Sequence, residues 1–241
     1  VRCITFFGNK SQAFVPDDMR KNILQNPSLM MHNPFEGIAD TMLLRDIVML
    51  RQVHGIDGVI VTDEAYAQSL HTLHTQGDFL VTSLPRLGLS VATADCLPVL
   101  LYDKRNQVVS AIHAGWQGAL KGVVPRAIAV LQKQFGTRLE DLQVFFGPSA
   151  HACCYQVQEE FLHRLDDFDW QMKVLSKRND SYYFDLPLFV GLQLNSLGIA
   201  TCDIDTTANV CTICSDKFCS YRRDPKNELR QISLIALVPN H

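Results

Sequence analysis

The sequence predicts an α+β fold in which mixed β-sheets are covered by helices, and three observations carry that expectation. Aliphatic and β-branched runs at 89–93, 97–102 and 108–113 lie close together, each bounded by polar or turn-forming residues, as in strands buried on both faces. The stretch 119–135 places apolar residues at helical spacing and stops at Gly136, a natural C-terminal cap. Strands come in groups with helices between them, which argues against the strict alternation of a doubly wound sheet.

Composition narrows the classes. A chain of 241 residues can bury a substantial core. Without an internal repeat or low-complexity linker, residues 1–241 are expected to form a single catalytic domain. A net charge of −3 and a pI near 6.2 argue against a nucleic-acid partner. Asp95, Asp103 and Arg105 interrupt the most apolar region, so no membrane span is expected. The opening Val1-Arg-Cys-Ile-Thr-Phe-Phe-Gly8 is too short and mixed in character for a signal peptide. The eight cysteines are therefore read as reduced thiols in a cytoplasmic protein. Adjacent Cys153 and Cys154 are poorly placed to bridge each other. Cys211, Cys214 and Cys219 contain one CxxC, but no second CxxC or histidine pair follows at ligand spacing. Plain thiols are expected there, ahead of a metal or redox pair.

Taken in order, 4–7 reads as an entry strand and 17–25 as a helix with an acidic first turn. Pro27, Pro34 and Gly37 make 26–37 a loop, and apolar 43–50 should pack on the core. A strand at 56–62 follows His54 across Gly55, and another is expected over 78–82. His71 and His74 sit in a polar segment and receive no role. Pro125 lies inside the 119–135 pattern, so that helix should begin or kink there. A strand at 142–146 delivers Gly147-Pro-Ser, and 156–168 reads as an amphipathic helix with Glu159 and Glu160 in its first turns. After a strand at 181–184, Asp185 is placed to cap a helix with Pro187 in its first turn and Gly198 beyond its end. Late strands are expected at 202–204 and 232–238, with the basic Ser220-Tyr-Arg-Arg-Asp224 between them.

The chemistry is concentrated in 89–118. Cys96 follows the first of the three runs and His113 ends the third. Pro98 cannot donate a ladder hydrogen bond, which places Cys96 at a strand edge or bulge. Gly115 and Gly118 bracket Trp116 ahead of a helix, where backbone can approach a ligand and N–H groups can meet an anion. His54, Cys96 and His113 all fall at strand–loop boundaries. Two imidazoles and a thiolate suit zinc, and three ligands with one open position is the catalytic arrangement. Spacing alone equally allows a buried cysteine and two polar histidines.

Six motifs occur in order: Gln52-Val-His-Gly55, Thr93-Ala-Asp-Cys-Leu-Pro-Val99, His113-Ala-Gly-Trp-Gln-Gly118, Gly147-Pro-Ser149, Cys153-Cys-Tyr-Gln-Val157 and Ser220-Tyr-Arg-Arg-Asp224. Together they resemble the family once called multicopper polyphenol oxidases or laccases and now described as purine nucleoside phosphorylases. The resemblance implies a four-layer αββα sandwich. It implies metal ligands at His54, Cys96 and His113, with zinc as the metal and copper as the alternative. The implied reactions are phosphorolysis of adenosine, inosine and S-methyl-5'-thioadenosine, together with adenosine deamination, so purine nucleosides and phosphate are the expected partners. Zinc lowers the pKa of a bound water to about 7, which suits attack at a purine C6. Arg222, Arg223 and the amides of the Gly115–Gly118 loop are candidate anion contacts, and Tyr155 or Trp116 are candidate stacking partners for the base.

Two departures from the family pattern stand out. Thr5-Phe-Phe-Gly8 carries Phe7 where the family has an arginine, and Gln117 follows Trp116 where it has arginine or lysine. Both remove positive charge, so weakened phosphate use is an expectation. Three alternatives remain. Cys96 with His113 as base could form the dyad of an amide hydrolase, for instance one editing peptidoglycan precursors. The scaffold could also bind purines without turnover. A multicopper oxidase is disfavoured, because eight histidines, several of them poorly placed, cannot supply its sites.

Overall fold

The computed structural model describes residues 1–16, 35–70 and 74–240. The helix expected over 17–25, most of the loop after it, and His71 lie outside the described residues. In chain order the strands are β1 (Arg2–Phe7), β2 (Asp46–Val48), β3 (Gly58–Val61), β4 (Phe79–Thr82), β5 (Leu87–Thr93), β6 (Leu97–Asp103) and β7 (Val108–Ala114). They continue with β8 (Leu142–Phe146), β9 (Gln156–Val157), β10 (Leu175–Arg178), β11 (Ser181–Phe184), β12 (Ile204–Asp205) and β13 (Gln231–Val238). The α-helices are α1 (Glu36–Thr41), α2 (Glu64–Ser69), α3 (Trp116–Lys121), α4 (Val123–Phe135) and α5 (Leu186–Leu197).

Two mixed sheets stack face to face, one ordered β1-β13-β5-β2 and the other β12-β8-β6-β7-β4-β3. Alternation along each strand decides what each face meets. Leu89, Val91, Ile235 and Leu237 of the smaller sheet pack against Leu100, Tyr102, Val109 and Ala111 of the larger. The opposite face of the larger sheet, with Leu97, Val99, Leu101 and Ile112, is covered by Ala127, Ile128 and Leu131 of α4 and by Phe189 and Leu194 of α5. Ala92, Ile232, Leu234 and Ala236 on the outer face of the smaller sheet meet Phe35 and Ala39 at α1. The result is the αββα four-layer arrangement. Burying each such aliphatic side chain contributes about 1.5–3 kcal/mol, so the all-buried β5, β6 and β7 are the centre of the core.

The helical pattern at 119–135 is divided at Gly122, not at Pro125. Gly122 adopts φ 85° and ends α3 while opening α4. Pro125 then falls in the first turn of α4, where its missing N–H has no intrahelical partner to lose. The helix expected over 156–168 does not form. Gln156 and Val157 instead pair with Tyr183 and Tyr182 of β11, and Glu159–Leu165 is a 3-10 helix. A strand absent from the sequence reading, β10, pairs with β11 across Asn179 and Asp180, both at positive φ as a two-residue hairpin turn requires. The strand expected at 202–204 is reduced to β12, preceded by a 3-10 turn at Thr201–Asp203. Asp185 caps α5 by accepting from the Leu188 N–H, and Gly198 closes it at φ 101°. Among the described residues no helix is long and apolar enough to cross a membrane.

Register brings the chemistry together. Pro98 of β6 lies opposite His113 of β7, so the start of one central strand meets the end of its neighbour. The Pro98 carbonyl accepts from the Gly147 N–H, and the missing Pro98 N–H sits at the strand start beside Cys96. Phe7 packs over this corner: a Cβ on Gly147 would come within 2.4 Å of the Phe7 ring and 2.6 Å of the Pro98 ring.

Candidate metal centre

Cys96, His54 and His113 converge at one end of the interface between the two sheets. One ligand atom from each lies within 4.8 Å of the others. Cys96 Sγ is 3.8 Å from His54 Nε2, and the two imidazole rings meet edge to face with centroids 4.7 Å apart. His113 is buried, Cys96 half-buried and His54 exposed, so the cluster opens in one direction. Gly115 makes the convergence possible. A Cβ there would lie 2.7 Å from His54 Cδ2 and 2.9 Å from Cys96 Sγ.

The His54 loop is held by two devices. Gln52 acts like a strand neighbour: its amide donates to the Ala92 carbonyl at 2.8 Å and accepts from the Ala92 N–H at 2.7 Å. His54 sits in the left-handed region at φ 58°, a conformation costing about 1–2 kcal/mol for an L-residue. Asp78 offsets that cost, because its buried carboxylate accepts from the backbone N–H groups of Val53, His54 (2.9 Å) and Gly55 (2.6 Å). The same carboxylate accepts from His113 Nδ1 at 2.8 Å. It thereby fixes the ring and turns Nε2 toward Cys96.

Asp95, the residue before Cys96, turns the chain at φ 86°. Its carboxylate accepts from the Thr212 hydroxyl and from the Arg222 N–H, both at 2.6 Å. The sequence reading gave neither Asp95 nor Asp78 a role in the site. Asp95 stood inside a quoted motif, whereas Asp78 carried only its place at a strand start.

Charge couples the group. Burial alone would push the Cys96 thiol up, but the His113 imidazolium and hydrogen bonds from both histidines outweigh it and bring it down to about 6. Burial would push His113 down, but the Cys96 thiolate and the Asp78 carboxylate raise it to about 9. Burial, followed by the nearby Cys96 charge, pushes the Tyr155 phenol up.

The donor set fits a metal. Two imidazole nitrogens and a thiolate sulfur converge, a carboxylate orients one imidazole from behind, and one side is open. His54, Cys96 and His113 could hold the cation.

The cluster forms the floor of a cavity of about 600 Å³. Trp116, Tyr155 and Arg222 line it, as do Arg51 and Arg230, two arginines that carried no sequence signal. The Arg222 guanidinium lies over the Tyr155 ring at 4.9 Å and donates to the Gln156 carbonyl. Two other candidate residues are placed elsewhere. Arg223 donates to the carbonyls of Thr212 (2.6 Å), Ser215 (2.8 Å) and Phe218, so its guanidinium holds the 212–218 turn together. Gln117 is exposed at the first turn of α3 and does not line the cavity.

Residues 12–238 match the family described as multi-copper polyphenol oxidoreductase laccase. A purine nucleoside phosphorylase of Clostridium acetobutylicum is 32% identical over 201 residues, covering 83% of this chain and 80% of that protein. One of Aquifex aeolicus is 33% identical over 162 residues, 67% of this chain and 72% of its own. Among solved structures, the hypothetical protein YfiH of Bacillus licheniformis superposes with a TM-score of 0.77 at 27% identity, covering 86% of this chain and 82% of its own. YlmD of Geobacillus stearothermophilus shares the fold with a TM-score of 0.74 at 24% identity, over 86% of this chain and 80% of its own. With the match running almost end to end, this chain belongs to the multi-copper polyphenol oxidoreductase laccase family.

Proposed function

We propose that this protein is a zinc-dependent purine nucleoside phosphorylase acting on adenosine, inosine and S-methyl-5'-thioadenosine, with adenosine deamination as a second activity. The observation that carries the reading is the meeting of a two-nitrogen, one-sulfur donor set with an arginine-lined cavity of nucleoside size. The relatives named purine nucleoside phosphorylase support it.

In phosphorolysis a phosphate oxygen bonds to C1′ while the bond from C1′ to the purine nitrogen breaks, and the base leaves with the electron pair and takes up a proton. Arg222 would hold the phosphate by charge-assisted hydrogen bonds, with Arg51 and Arg230 adding positive charge from the cavity wall. Tyr155 and Trp116 offer aromatic surface to the base. Asp78 keeps the Nδ1 proton of His113, so Nε2 stays directed at the cation site. A cation held by His54, Cys96 and His113 would supply Lewis-acid polarisation at the floor of the cavity.

Chromatographic product analysis with each nucleoside, with and without phosphate, tests the proposal. Free base and pentose 1-phosphate formed only with phosphate support it. Free pentose formed without phosphate would replace it by a hydrolase, and tight purine binding without turnover by a binding protein.

A second reading has its own observation: Cys96, His113 and Asp78 stand in the order of a nucleophile, base and orienting acid, and the thiol is displaced towards thiolate. That arrangement would suit a cysteine-dependent amide hydrolase, such as one acting on peptidoglycan precursors. Cys96→Ser separates the two. Loss of the zinc bound at this centre, together with activity, favours the metal centre, because a hydroxyl is a poor zinc ligand. Full zinc retention in an inactive, folded variant favours the nucleophile.

A further inference from the structure

A second group of metal-ligating side chains lies apart from the first. The sulfurs of Cys153, Cys154, Cys211 and Cys214 are all within 4.8 Å of one another. Cys214 Sγ is 2.9 Å from Cys154 Sγ and 3.2 Å from Cys153 Sγ, partners 60 and 61 residues away in sequence. The residues expected to be plain thiols are thus brought together: the Cys153-Cys154 pair, which no CxxC spacing advertises, meets Cys211 and Cys214. Cys219 is not part of the group. It is buried, and its N–H donates to Gln231.

Two turns present these thiols. The Cys154 N–H donates to the His151 carbonyl at 3.0 Å, and the Ser215 N–H to the Cys211 carbonyl at 3.3 Å. A parallel bridge joins the segments, with the Ser149 N–H donating to Val210 and the Thr212 N–H donating to Ser149. The Arg178 guanidinium caps the carbonyls of Ala152 and Cys153, while Arg223 caps those of Thr212, Ile213 and Ser215. Both turns are thus fixed before any ligand arrives.

We propose that Cys153, Cys154, Cys211 and Cys214 form a structural tetrathiolate zinc site that fastens one wall of the cavity. Cys153 and Cys214 are exposed, so burial of apolar surface does not account for gathering four thiols here. A tetrahedral zinc with bonds of about 2.3 Å needs sulfurs roughly 3.8 Å apart, inside the range the four already span. Four protein ligands close the coordination shell, which marks a structural and not a catalytic ion. Tyr155 follows directly on Cys154, and Thr212 between the other two ligands hydrogen-bonds Asp95 beside Cys96. The inference does not depend on the phosphorylase reading, because the two groups share no residue.

The test uses the full chain carrying Cys96→Ser, so that the other centre contributes no thiolate, reduced and freed of metal. Titration with cobalt(II) should give a thiolate-to-cobalt charge-transfer band that saturates at one equivalent and is displaced by zinc. The same chain with Cys211→Ser and Cys214→Ser should lack the band. Should that variant fail to fold, alkylation of the parent read by peptide mass spectrometry decides. Zinc should slow modification of all four cysteines by about tenfold or more, because a metal-bound sulfur is withheld from the reagent. Equal alkylation with and without zinc, or a Cys154–Cys214 disulfide persisting under reducing conditions, would overturn the proposal.

Discussion

Asp78 Oδ1 lies 2.8 Å from His113 Nδ1, and the two side chains are 0% and 3% exposed. One buried carboxylate therefore does two jobs, orienting a candidate ligand and binding three successive N–H groups of the loop that carries another, His54. Asp78→Asn keeps the size but loses the charge, and its amide must point a donor at one of these partners. We expect metal affinity to fall about 10–100-fold, as loss of an orienting carboxylate does elsewhere. Chelator competition on the folded variant measures it, and an unchanged affinity would show that His113 needs no such support.

Gly115→Ala tests crowding at the same point. The backbone there is at φ −69°, which alanine accepts, so the penalty is the methyl group against His54 and Cys96 alone. Metal binding and activity should drop at least about tenfold while circular dichroism stays unchanged, since moving one ligand costs a bond worth more than 1.4 kcal/mol. Normal metal affinity in this variant would mean that His54 and Cys96 do not both bind.

Part of this architecture is legible in the sequence, and the limits have physical causes. Strands β5, β6 and β7 announce themselves because both faces are buried and turn residues bound them. His54, Cys96 and His113 stand out because each sits at a strand end beside glycine or proline. Asp78 does not, since a carboxylate before a strand reads as a turn residue and its partners lie 24 and 35 residues away. Arg51 and Arg230 reach the cavity only through tertiary folding. The segment after Tyr155 misleads because its apolar residues suit a helix, yet its first two residues are claimed by a sheet ladder.

The ionisation of the metal-free centre has a definite sign. Cys96 is depressed from 9.0 to about 6, so it is thiolate through the neutral range, where an ordinary thiol is not. Alkylation of Cys96 in chelated protein should therefore rise with pH through about 6 and level off above it. Removing the imidazolium in His113→Gln should move the midpoint upward. A wild-type midpoint near 9 would mean that the two groups do not form an ion pair.

The candidate anion contacts separate by geometry. Arg222 faces the cavity, so Arg222→Gln should raise the phosphate KM by about tenfold or more, the loss of a charge-assisted hydrogen bond of about 1.5–3 kcal/mol. Gln117 is exposed and outside the cavity lining, so Gln117→Arg should leave that KM within about twofold, as surface substitutions usually do. A large gain from Gln117→Arg would show that α3 turns its first residues toward bound phosphate.

His54, Cys96 and His113 are proposed to bind one cation together. Anomalous scattering at the zinc edge from crystals grown with zinc tests it most directly. A peak is expected about 2.0–2.1 Å from a nitrogen of each histidine and about 2.3 Å from Cys96 Sγ. Zinc-replete crystals with no peak there, or with the three side chains turned to separate partners, would contradict it.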